Sequence, residues 1–263
     1  MSTIHPGLVS ITFRKLTPRQ VVEVAAVAGL TGIEWGGDVH VPHGDLVKAA
    51  EVRKLTADAG LVVPSYGSYY KAGVSEAEGL AFERVLETAC LLGAPMIRVW
   101  AGGKGSAETE VVDRVGVVAD GQRIATLAAQ AGVGVACEYH GGSLTDTDAS
   151  TVALLSEVGH NNFRTYWQPR AGAGVAEALM GMRQILPKLA HLHVFHWWPN
   201  YERRPLSEGT DRWLRYLELA ATVTGDRFAL LEFVVNDDPA MLAIEAATLK
   251  KCISQCGGTI QTE

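Results

Sequence analysis

The 263-residue chain has no run of lysines and arginines, and its formal net charge is −6. Binding to phosphate backbones requires a basic face, so nucleic acid is disfavoured as a partner. No apolar run approaches the ~20 residues of a membrane span, and the N-terminal MSTIHPGLVSITFRK lacks a basic segment ahead of a long apolar one. No membrane association is expected. Cysteine is scarce: Cys90, Cys137, Cys252 and Cys256 are scattered, and only the last two stand close, at helical spacing, without further ligands for a structural zinc. Buried free thiols suit a reducing compartment, so a cytoplasmic protein is expected. Also missing is a Gly-rich nucleotide loop after an early strand, which argues against a doubly wound open sheet. The GGKGS stretch at 102–106 lacks P-loop spacing and leaves Lys104 in a β–α loop where it could meet an anion. No low-complexity tract or inter-domain linker interrupts the chain.

What is present is a regular alternation. Hydrophobic residues make up 48% and charged residues 20% of the sequence, enough apolar material for one large core. Eight short apolar runs, at 7–13, 32–37, 61–68, 95–102, 132–140, 163–170, 190–197 and 228–234, are each followed by an amphipathic segment. Strand–helix alternation predicts a parallel sheet, and eight units close a barrel. The expected fold is therefore α/β, a (β/α)8 TIM barrel forming a single domain over residues 1–263. Helix signals agree: Thr17-Pro18 with Gln20, Ser75 with Glu78, and Asp238-Pro239 read as helix starts. Gly29, Gly60, Gly93 and Gly132 read as helix ends.

In such a barrel the chemistry gathers at the C-terminal ends of the strands, where every second side chain points inward. On the fifth run Val133, Val135 and Cys137 share the outward parity, whereas Gly134, Ala136, Glu138 and His140 share the inward one. Arg164, Tyr166 and Gln168 line up on the sixth, His191, His193 and Phe195 on the seventh, and Phe228, Leu230 and Glu232 on the eighth. A carboxylate inside ALLEFV is costly to bury without a cation or a proton. Glu138, Gln168, His193 and Glu232 thus fall at four consecutive strand ends, and two carboxylates, an imidazole and an amide oxygen suit a divalent ion such as Mn2+, Mg2+ or Co2+.

At these residues the sequence resembles the xylose-isomerase-like TIM barrels, in particular the sugar phosphate isomerase/epimerase group. The resemblance rests on GIEWGGDVH (32–40), IRVWAG (97–102), CEYHGGSLTDT (137–147), HLHVFH (191–196) followed by Gly209 and Trp213, and ALLEF (229–233). It implies a divalent metal held by a glutamate, an aspartate, a histidine and a glutamate from strands five to eight, here Glu138, the position of Gln168, His193 and Glu232. Gln168 departs from the usual aspartate and removes one negative charge, and His196 stands where the strand-seven motif commonly has an aspartate.

The resemblance further implies proton transfer next to a carbonyl through an enediolate, with Glu138 and Glu232 as the catalytic pair on the two faces of a sugar or polyol substrate. The expected activity is isomerisation or epimerisation. A lyase or dehydratase using the same site, and a non-catalytic polyol-binding or partner subunit, remain as alternatives. An endonuclease is disfavoured by the charge and by the few histidines at strand ends.

Residues expected to bind substrate are His40, Tyr66, Arg98, His140 and Trp197. His40 also reads as a solvated loop residue, and Arg98 as an ion-pair partner of Glu34 within the barrel. Tyr66, Trp197 and Trp198 suit stacking on a sugar ring, or packing in a homo-oligomer. Arg203 and Arg204 read as solvated loop residues, with phosphate capture as the alternative.

Overall fold

A computed structural model describes residues 3–257, so the first two residues of the N-terminal stretch read above lie outside the described part. Eight parallel strands close on themselves in sequence order. They are β1 (Ile4–Val9), β2 (Gly32–Gly36), β3 (Tyr66–Lys71), β4 (Met96–Trp100), β5 (Gly134–Cys137), β6 (Phe163–Trp167), β7 (Leu189–Val194) and β8 (Arg227–Leu231). Around them run α1 (Pro18–Val27), α2 (Leu46–Asp58), α3 (Phe82–Leu92), α4 (Val111–Gln130), α5 (Asp148–Val158), α6 (Val175–Ile185), α7 (Thr210–Ala221) and α8 (Leu242–Gln255). This is the (β/α)8 barrel expected from the alternation. None of the described helices is long and apolar enough to cross a membrane.

Two apolar layers result from the strand alternation. Outward residues, among them Val135, Cys137, Leu192 and Ala229, join the large core between strands and helices. Inward residues, among them Met96, Ala136, Tyr166 and Leu230, plug the cylinder. The parities assigned to the late strands hold, and they leave Glu138, His193 and Glu232 above that plug.

Local signals worked where the backbone had a free end to satisfy. Thr17 and Gln20 form a reciprocal capping box at α1, and Asp238 caps the short 3-10 turn that leads into α8. Gly29, Gly60, Gly93 and Gly132 all carry positive φ after helices.

Several expectations need correction. Ser75 caps no helix; it lies in a turn, its hydroxyl accepts a hydrogen bond from the Lys71 N–H, and α3 begins only at Phe82. The first strand ends at Val9 and passes into a 3-10 turn over Ser10–Phe13, where the buried Ser10 hydroxyl accepts from the Gly36 N–H. β3 starts at Tyr66 rather than near Leu61, since Pro64 brings no N–H to the ladder and only Val62 makes an isolated bridge to Gly32. All four cysteines are free, but Cys90 is exposed rather than buried. Lys104 pairs with Asp113.

Candidate active site

The ends of β5, β6, β7 and β8 bring Glu138, Gln168, His193 and Glu232 onto one point. His193 Nδ1 stands 3.0 Å from Gln168 Oε1, 3.4 Å from Glu138 Oε1 and 3.3 Å from Glu232 Oε2. Three oxygens from three strands cannot all be served by one N–H, and two of them are carboxylate oxygens that repel each other. His193 is fully buried, and Glu138 and Glu232 are nearly so. The ligand atoms of Glu138, His193 and Glu232 lie within 4.8 Å of one another.

Beneath the cluster, Glu34 of β2 and Arg98 of β4 form a second buried layer. Arg98 Nε donates to Glu34 Oε1 at 2.7 Å, and its Nη1 donates to Glu138 Oε2. Ser65 donates to the other Glu34 oxygen at 2.7 Å, and the Trp100 indole N–H donates to Glu138 Oε2 at 2.6 Å. His193 Nε2 faces Glu34 Oε1 at 3.6 Å, a charge contact rather than a hydrogen bond.

The electrostatics follow from these neighbours. Burial alone would raise the Glu138 carboxyl, but the Arg98 guanidinium and His193 outweigh it and bring it down to about 2. Glu34 is likewise pulled well below the carboxylate range against its burial, by Arg98 first and then His193. Burial would depress His193, yet Glu232, Glu138 and Glu34 hold it well above the usual histidine value.

Three buried acidic side chains thus face one guanidinium, and the imidazole is held protonated to relieve them. A divalent cation would bring the group to neutrality with His193 unprotonated. Glu138, Gln168, His193 and Glu232 therefore fit such an ion, through two carboxylates, one neutral amide oxygen and the imidazole Nδ1. The Nε2–H would then point at Glu34, the carboxylate–histidine arrangement that usually backs a metal ligand.

Hydrogen bonds fix the backbone that carries these side chains. In the β5–α5 loop the buried Thr145 hydroxyl donates to the Glu138 carbonyl, and Ser143 donates to that of His140 at 2.8 Å. On β8 the Glu232 N–H donates to the Val194 carbonyl at 2.9 Å, and the next N–H, that of Phe233, donates to Thr12 Oγ1 at 3.1 Å. Phe233 has φ 58°, a left-handed conformation rarely adopted by a bulky residue. Trp213 donates to the Phe195 carbonyl at 2.8 Å, and a Cβ at Gly209 would lie 2.4 Å from His196 Nδ1. These contacts give a packing reason for the Gly209 and Trp213 that follow HLHVFH in the sequence.

Outside the cluster lies a cavity of about 500 Å³, lined by His140, Asp146, Gln168, Arg170, Phe195 and Trp197 among others. Gln168 belongs to both, so the cluster adjoins this cavity. A larger hollow at the opposite end of the barrel, about 650 Å³, is lined mainly by apolar residues with Arg164 and His191.

The structure divides the expected substrate contacts. His140 and Trp197 line the cavity. His140 stacks on Trp100 with ring centroids 4.4 Å apart. Its Nδ1 faces the Gly141 carbonyl, which can only accept, so this nitrogen carries the proton and Nε2 keeps a lone pair. Arg98 is buried with two of its nitrogens on Glu34 and Glu138. His40 is buried with Nδ1 on the Ser10 hydroxyl and Nε2 on the Leu16 carbonyl.

Tyr66 opens β3 and points outward, its hydroxyl donating to the Val41 carbonyl at 2.7 Å. Placing β3 five residues too early had put this ring near the mouth. The aromatic actually over the site is Tyr69, whose ring centroid lies 5.0 Å from the Arg98 guanidinium carbon. Reading 66–71 as the strand would have found it. Arg203 pairs with Asp237, and Arg204 pairs with Glu202 and Glu208.

The closed barrel thus carries at its C-terminal mouth, where such folds place their chemistry, a buried carboxylate–imidazole group that could hold a cation. Residues 22–232 match the family model described as xylose isomerase-like TIM barrel, and the chain belongs to that family. The curated 3-dehydroshikimate dehydratase of Bacillus anthracis is 30% identical over 201 residues, which cover 71% of this chain and 70% of that protein. Among solved structures, the probable 3-DHS dehydratase involved in petrobactin synthesis from Bacillus anthracis aligns with a TM-score of 0.78 at 22% identity, covering 94% of this chain and 99% of that one. D-psicose 3-epimerase with D-tagatose from Clostridium cellulolyticum H10 aligns at 0.71 and 17% identity, covering 96% and 99%. A xylose isomerase-like TIM barrel protein from Mycobacterium smegmatis in complex with magnesium aligns at 0.71 and 15%, covering 96% and 97%. These structural likenesses show the shared fold.

Proposed function

We propose that the protein is a divalent-metal-dependent lyase that removes water from a hydroxylated, sugar-like carbonyl compound. The observation that carries this reading is that Glu138 has both oxygens committed, Oε1 facing His193 Nδ1 and Oε2 taken by Arg98 and Trp100. A carboxylate so engaged, and held ionised, is a ligand rather than a proton carrier. The two-carboxylate exchange expected for an epimerase therefore loses one partner. His140, two residues further along and facing the cavity, has a free basic nitrogen and is the group suited to take a proton.

Elimination needs one such base, whereas epimerisation needs a second proton carrier on the opposite face. Dehydration also agrees with the activity named for the 30% identical relative. A bound divalent ion would polarise the substrate carbonyl and lower the energy of the charge developing on its oxygen. Arg98 and Trp100 keep Glu138 ionised and oriented, and Glu34 steadies His193. His140 accepts the proton next to the carbonyl and, as imidazolium, returns it to the β-hydroxyl, which departs as water while the C–O bond breaks and the C=C bond forms.

The test offers Mn2+-loaded protein 3-dehydroshikimate and D-tagatose separately in D2O. Water loss from the first, read as a new aromatic absorbance, is the expected result. His140→Gln should lower kcat by ~10²–10⁴-fold with Mn2+ affinity unchanged. Deuterium incorporation into D-tagatose without a dehydrated product would return the assignment to epimerisation, with Glu232 as the remaining carboxylate.

A further inference from the structure

We infer that Trp100 is a positioning residue that sets the cation ligand Glu138 and the base His140 at the same time. This rests on the roles given to those two residues above. Trp100 ends β4, and the β4–β5 register pairs Val99 with Cys137, which puts the indole beside Glu138. Its edge and its face do different things. The edge N–H donates to Glu138 Oε2 at 2.6 Å, while the face carries the His140 ring at a 22° interplanar angle. Glu138 and His140 are two residues apart just past the end of β5, so a single rigid ring spans both. An indole has few ways to move without breaking one contact or the other.

The indole is itself held. Its backbone carbonyl accepts from the Ala72 N–H at 2.9 Å, and its ring meets Tyr69 edge-on at 5.9 Å. Tyr69 shares the inward face of β3 with Gly67, in the stretch where the pairing with β4 is irregular between Gly67 and Lys71 and Tyr69 itself has φ 56°. Arg14 donates to the Tyr69 hydroxyl at 3.2 Å.

The two contacts predict two separable losses. Trp100→Phe retains a stacking face and loses the N–H; Trp100→Leu loses both. In a calorimetric titration with Mn2+ alone, both variants should bind about tenfold more weakly, the lower end of what loss of an outer partner of a ligand costs. In NMR spectra, the His140 ring signals, shifted upfield by the indole, should stay shifted in Trp100→Phe. They should move to the position of an unstacked imidazole in Trp100→Leu.

The His40 and His191 signals, from rings remote from Trp100, serve as the control that each variant is folded. Mn2+ affinity in Trp100→Phe within about twofold of the parent, or an unmoved His140 signal in Trp100→Leu, overturns the assignment. Neither readout uses a substrate, so failure of the dehydration assay is a separate result. A parent protein with no Mn2+ affinity would overturn the cation-binding reading itself, which differs from a normal affinity that Trp100→Phe leaves unchanged.

Discussion

His191 and His193 stand two residues apart on β7, share one inward parity and are both buried, yet their environments drive them in opposite directions. His191 sits lower in the cylinder, edge-on to Phe228 and Tyr166, with its Nδ1 accepting from the Phe228 N–H. Burial pushes it down to about 4, so it stays neutral. His193 is one step nearer the mouth; Tyr166 meets it edge-on too, but carboxylates surround it and hold it protonated. The residue type and the strand position are nearly the same. What separates a neutral histidine from a charged one here is which side chains the adjacent strands bring to its level.

The sharpest way to break this contrast is to remove each ring in turn. His193→Ala should abolish Mn2+ binding, because it takes away the only imidazole in the group, while His191→Asn should leave it intact. Isothermal titration with Mn2+ measures both, and equal losses would mean that the two rings do the same work.

A smaller effect appears in stability against pH. The folded-state value of His191 lies below its unfolded value near 6.5, so its contribution is present above that pH and falls as acid protonates the unfolded chain. Between pH 7 and pH 5 it should cost roughly 2 kcal/mol, on the way to about 3 kcal/mol near pH 4. His193, raised instead, adds its own dependence only above pH 6.5, so the two windows do not overlap. Urea midpoints of chelator-treated protein and of His191→Asn should show a shallower acid slope in the variant. Parallel slopes would contradict the assignment.

The smallest expected effect concerns the outer nitrogens. Glu34→Gln keeps the shape but removes the charge facing His193 Nε2, and should weaken Mn2+ binding by about tenfold. No change would mean that Glu34 serves only Arg98.

Much of the barrel could be read in advance because hydrophobic alternation reports on each strand independently of its neighbours. The ladder of small and polar residues in GVGVACEYH placed Glu138 correctly for that reason. Misplacements came where local pattern and tertiary pairing disagree. Residues 61–65 look like a strand, but Pro64 has no N–H for the ladder, and the true β3 contains a bulge that no periodicity shows. Tyr66, expected to bind substrate, instead opens the strand and faces outward, and Tyr69 stands over the site. The buried position of His40 has no local signature, because the Ser10 and Leu16 groups that occupy its nitrogens are 30 and 24 residues away in the chain.

The order of residues alone determined the number of strands, the inward face of each late strand and therefore the four side chains able to meet a cation. Only tertiary structure decided what each of those side chains is free to do. Glu138 is held in place because β4 brings Trp100 and Arg98 against it, Arg98 being itself held by Glu34 of β2, and the His140 Nδ1 faces the Gly141 carbonyl. Ionisation and proton transfer depend on distances of a few ångströms between residues far apart in sequence, and those distances exist only once the cylinder has closed.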